Sequence, residues 1–94
     1  FNILNFMMIN ITDLKKKITY RSNYRGTKEM DKLLGTFTKK YINVLEKDEL
    51  VNLCDLLDYD DENLYKYNQG EDTTIEIHSN KISELFKNYK YEVD

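Results

Sequence analysis

The chain has 94 residues, 40% hydrophobic and 33% charged, with no proline or tryptophan, one cysteine and a net charge of −3. That length supports one small core and leaves little room for a deep cofactor pocket, which disfavours an enzyme built on its own nucleotide-binding domain and favours a binding module. One cysteine forms no internal disulfide, and Cys54 with His78 falls short of a four-ligand zinc site, so a reducing compartment and no metal are expected.

Residues 1–10 open with Phe1-Asn2-Ile3-Leu4-Asn5-Phe6-Met7-Met8-Ile9, an apolar run too short to span a bilayer and without the basic start and cleavage site of a signal peptide. They are expected to be a disordered or non-native extension, with translation starting at Met7 or Met8 and a single helical domain over 11–94. Ile11, Leu14 and Ile18, behind a cap at Asn10 or Thr12, predict a first helix running to about Tyr24. Gly26 interrupts it. Thr27 then caps a second helix, whose stripe of Met30, Leu33, Leu34, Phe37 and Tyr41 is the most regular in the chain.

Leu50, Leu53, Cys54 and Leu57 predict a third helix over about 47–57. The acidic cluster from Asp58 to Glu62 suits a turn and the N-terminus of a fourth helix, where carboxylates cap amides and complement the helix dipole; Leu64, Tyr65 and Tyr67 follow before Gly70 stops it. Ile75 and Ile77 alternate like a strand but have no second strand to pair with, so an extended connector is expected. A last helix from Ser79 or Asn80 carries Ile82, Leu85, Phe86 and Tyr89. The fold class is therefore all-α, a compact bundle of five short helices.

Charge is divided unevenly. Residues 11–40 hold nine basic side chains against three acidic ones, a net of +6, whereas 41–94 hold five against fourteen, a net of −9. Both arginines fall in the helix-joining segment from Tyr20 to Asp31, together with Tyr24, Gly26, Glu29 and Asp31. One reading is a corner in which Arg25 pairs with Glu29; the other is a recognition patch, because Arg and Tyr are enriched at interface hot spots. The candidate partner-binding residues are Arg21, Tyr24, Arg25, Gly26, Glu29 and Asp31. No catalytic, cofactor-binding or metal residues are assigned. A helix-turn-helix nucleic-acid binder using the basic half is the alternative, opposed by the apolar stripe and acidic start of the second helix. An acid–base site at Arg25 and Glu29 lacks converging groups to hold a substrate. Cys54 reads as a small core residue, and His78 as a solvated loop residue.

Arg25-Gly26-Thr27-Lys28-Glu29-Met30-Asp31, with Tyr20-Arg21-Ser22 before it and Leu33-Leu34-Gly35-Thr36-Phe37 after it, resembles the signature of the small flavinylation factors of succinate dehydrogenase, the bacterial SdhE type and its mitochondrial assembly-factor relatives. The likeness extends through Leu45–Leu50, Leu53–Leu57 and Asp60–Tyr65, covering about residues 12–90. Departures are Asn23, where relatives often carry a ring or His nearby, Tyr67 in place of a common Trp, and Asp61 in place of a frequent Pro. The resemblance implies a monomeric, non-enzymatic factor that binds the flavoprotein subunit of succinate dehydrogenase, or of fumarate reductase, and promotes covalent attachment of FAD to that partner. It implies no cofactor of its own, no nucleic acid and no membrane insertion, and a location in the bacterial cytoplasm or mitochondrial matrix. Arg25 would then offer its fork to the partner, and Arg25→Ala should leave the bundle folded.

Overall fold

The computed structural model describes residues 10–91, so the expected N-terminal extension lies almost wholly outside the described residues. Five helices follow in order: α1 Ile11–Asn23, α2 Lys28–Tyr41, α3 Lys47–Leu56, α4 Asp61–Gln69 and α5 Lys81–Lys87. No strand occurs among the described residues.

Polar caps and glycine set the ends in a chain without proline. Asn10, Thr27, Asp60 and Asn80 each accept a backbone N–H in the first turn of the helix that follows. Gly70 closes α4 in the left-handed region at φ 77°, and the Glu71 N–H reaches back to the Lys66 carbonyl at 2.9 Å, the outer bond of a Schellman ending. Between α1 and α2 the chain turns through Gly26 at φ 117°. A side chain at that angle strains the backbone, which accounts for glycine there without any close neighbour.

The α2 stripe is the centre of the core. Leu34 and Phe37 are fully buried, and the Phe37 ring meets Phe86 and Tyr89 edge-on, each with centroids 5.3 Å away. Ile18 from α1, Leu50 and Leu53 from α3, Leu64 from α4 and Ile82 from α5 complete it. Helix α1 lies along α2, α3 packs on α1 and α5, and α4 leans on α5.

Two buried asparagines hold what the helices alone do not. The Asn63 side chain accepts the Thr74 N–H at 2.8 Å and donates to Thr74 Oγ1 at 3.0 Å, fastening the 71–80 connector to α4. Ile77 anchors the same connector in the core. Asn68 donates to the carbonyls of Phe86 at 2.7 Å and Tyr89 at 2.8 Å, tying α4 to the end of α5. Replacing it with alanine strands two buried acceptors, a change expected to cost about 2–3 kcal/mol. Urea unfolding of Asn68→Ala checks this against Ile75→Ser, on the exposed side of the connector, for which a shift under ~0.5 kcal/mol is expected.

Two carboxylates make the fold acid-sensitive. Glu49 lies below the usual carboxylate range, first because it accepts the Glu46 N–H and then because Lys81 pairs with it at 2.5 Å. Asp60 is lowered by the side-chain and backbone N–H groups of Asn63. Because both values are depressed on folding, their stabilisation is complete above the ordinary carboxylate values of about 4 and is lost as the pH falls through the folded values. The urea midpoint should fall below about pH 4, and less steeply in Glu49→Gln; an identical acid limb in that variant would remove Glu49 from the account.

Candidate functional site

The corner that joins α1 to α2 is built on the end of another helix. Helix α3 has no basic residue in its last turn, so nothing within it offsets the partial negative charge of its terminal carbonyls. Arg21 and Arg25 supply that charge from outside. Arg21 sends Nη1 to the Cys54 carbonyl at 3.4 Å and Nη2 to the Leu57 carbonyl at 3.1 Å and Asp58 Oδ1 at 2.5 Å. Partial burial opposes the Arg21 charge, but Asp58 and Cys54 outweigh it and the guanidinium is held above its ordinary value.

Arg25 is the more deeply committed of the two. Its Nε meets Asp61 Oδ1 at 2.8 Å, Nη1 the Leu57 carbonyl at 2.8 Å and Nη2 the Tyr59 carbonyl at 2.9 Å. Its side chain is only 11% exposed. The main chain at the same residue is also fixed, since the Arg25 N–H donates to Asp31 Oδ1 at 2.5 Å.

This geometry departs from the reading in which Arg25 pairs with Glu29. Glu29 instead faces α4, where its carboxylate lies against the Tyr65 phenol and, with partial burial, holds it above its ordinary value. The two line a cleft of about 240 Å³ that also contains Leu33, Asn68 and Lys90. With Arg25 and Glu29 apart, an acid–base pair is not assembled. The helix-turn-helix alternative is not favoured either, because α2, its recognition helix, buries Met30, Leu33, Leu34, Gly35, Phe37 and Thr38 in its own fold.

The six residues picked out by sequence therefore divide. Arg21, Arg25 and Asp31 form an internal frame, while Tyr24, Gly26 and Glu29 are exposed. Tyr24 is 70% exposed and its ring lies 4.8 Å from that of Tyr20, itself 66% exposed. No atom lies within 4 Å of a Cβ built on Gly26, so the space above the turn is open to another molecule. Sequence reasoning passed over Asp61, Asp58, Tyr65 and Tyr20. The signal for the first two was present, in an acidic cluster following a helix with no basic end. Cys54 is half-buried rather than central, and its Sγ lies 3.5 Å from Arg21 Nη1. His78 is exposed, as expected for the connector, and its N–H donates to the Tyr59 hydroxyl at 3.0 Å.

Arg25 is thus a structural residue before it is anything else, and Arg25→Ala is no longer expected to be neutral for the fold. Removing the fork leaves Asp61 and two carbonyls without their cation, a loss of about 2–4 kcal/mol. Lysine cannot reproduce three divergent bonds, so Arg25→Lys should lose most of the same stability, whereas Glu29→Ala should cost less than about 1 kcal/mol. Urea unfolding of the three variants checks the order; an Arg25→Ala protein as stable as the parent would remove the frame.

Among the described residues no cluster of three or more His, Cys, Asp or Glu side chains is arranged to hold a metal, and no helix is long and apolar enough to cross a membrane. Neither a curated protein nor a solved structure matches the chain significantly. Residues 16–90 match the family Sdh5, described as flavinator of succinate dehydrogenase. That span takes in the corner, the α3 end on which it is built and all of α2 to α5. The chain belongs to the Sdh5 family of succinate dehydrogenase flavinators.

Proposed function

We propose that the chain promotes covalent attachment of FAD to the flavoprotein subunit of succinate dehydrogenase, and to that of fumarate reductase where the host has one, by docking on the subunit. The observation that carries this reading is the family match over residues 16–90, which contains the whole corner. The exposed edge of Tyr24, Gly26 and Glu29 makes the contacts. Arg21, Arg25 and Asp31 hold the backbone beneath them.

FAD belongs to the partner in this reading, and the bond to a partner histidine forms there. The chain contributes binding energy alone. A docking protein accelerates such a step when it binds best the conformation in which flavin and histidine are aligned, and each ~1.4 kcal/mol of preference shifts that population about tenfold. A contact edge fixed in advance keeps more of that energy, because little side-chain or loop ordering is left to complete on binding. The factor acts as a monomer, in whichever compartment the subunit matures, bacterial cytoplasm or mitochondrial matrix.

Glu29 separates docking from folding, since its loss leaves the arginine frame untouched. Co-expression of Glu29→Ala with the flavoprotein subunit should lower covalent flavin, read as fluorescence of the denatured subunit, by about tenfold while the factor loses less than about 1 kcal/mol of stability. Undiminished fluorescence would sink the assignment of the contact edge. Gly26→Arg does not separate the two, because at φ 117° any side chain strains the turn as well as filling the open space.

A further inference from the structure

Beside the corner, on the outer face of α1, lies a groove of about 750 Å³ that shares only Tyr24 with the contacts above. Lys15, Lys16, Thr19, Tyr20 and Tyr24 form one wall, and Asn43 from the turn after α2 contributes to the other. Among the described residues no carboxylate lies within ion-pair distance of Lys15 or Lys16. The neighbouring recess adds Lys39 and shares Thr19 with the groove. The lining is more apolar than polar, with Ile42 and the exposed, paired rings of Tyr20 and Tyr24 set beside the two ammonium groups.

We propose that this groove binds an acidic segment of the flavoprotein subunit, as a second contact beside the corner. This rests on the proposed function. Charge complementarity selects the occupant: a carboxylate-bearing segment satisfies the lysines and hydroxyls together, while an aromatic or aliphatic side chain within it covers the tyrosine rings. Nucleic acid would also fit the lysines, but the net charge of −3 opposes a long polyanion. Tyr24 is common to groove and corner, so one partner seated on the corner reaches the groove without a break in the surface. Contacts of this kind act mainly on association, by steering, whereas the corner acts on retention.

Surface plasmon resonance on the purified flavoprotein subunit tests the proposal with the full chain, Lys15→Glu/Lys16→Glu, Lys15→Arg/Lys16→Arg and Glu29→Ala, each first checked for parental thermal stability. The charge-reversed variant should associate about tenfold more slowly at low salt and lose most of the parent's salt dependence, while the arginine variant restores both. Unchanged association by the charge-reversed variant, with Glu29→Ala still weakening capture, overturns the groove and leaves the corner standing. Failure of the parent chain to bind the subunit at all removes the proposed function and the groove's occupant with it. A labelled DNA duplex is the control: binding by the parent that charge reversal abolishes, with flavoprotein association unmoved, assigns the groove to nucleic acid and overturns the proposal.

Discussion

Two guanidinium groups placed under the end of a helix they do not belong to hold this molecule in its working shape. The last turn of α3 presents carbonyls and no cation, and Arg21 and Arg25 from the α1–α2 corner supply the missing charge. A planar fork with several donors suits the task, because the acceptors at Leu57, Tyr59 and Asp61 lie in different directions around Arg25. One set of bonds therefore ends α3, shapes the turn into α4 and fixes the corner between α1 and α2.

Function follows from the same economy of parts. Stiffness at the corner comes from an arginine whose side chain is largely buried beneath it. By residue type, Arg25 is the natural group to reach a partner. The structure commits its side chain to the fold, while Tyr24, the open turn at Gly26 and Glu29 are exposed.

Helices, caps and core were legible in the sequence because each rests on local rules. Apolar spacing placed Ile18, Leu34, Phe37, Leu53 and Phe86 inward, and Asn10, Thr27 and Asn80 cap where short polar residues precede such stripes. What was not legible depends on pairing between distant elements. Arg25 and Glu29 sit four apart, a spacing that invites a local ion pair, yet Asp61, thirty-six positions away, takes the guanidinium. Asn63 and Asn68 looked like ordinary polar helix residues, and only their burial against the connector and the end of α5 reveals them as fasteners. Composition pointed to the corner as unusual, but could not say which of its side chains face inward.

The arginine frame is asymmetric in its exposure to mutation. Most of its acceptors are main-chain carbonyls, at Cys54, Leu57 and Tyr59, and these persist under almost any side-chain replacement in the turn. Asp61 adds a carboxylate, yet Arg25 would retain two acceptors without it, so that position can drift, to proline among other residues, while the corner keeps its shape. The donor side has no such redundancy, since each fork belongs to a single side chain. Sequence variation among descendants of this chain should therefore accumulate in the acidic turn and be purged at the arginines that grip it, which makes a conserved arginine here a record of architecture as much as of recognition.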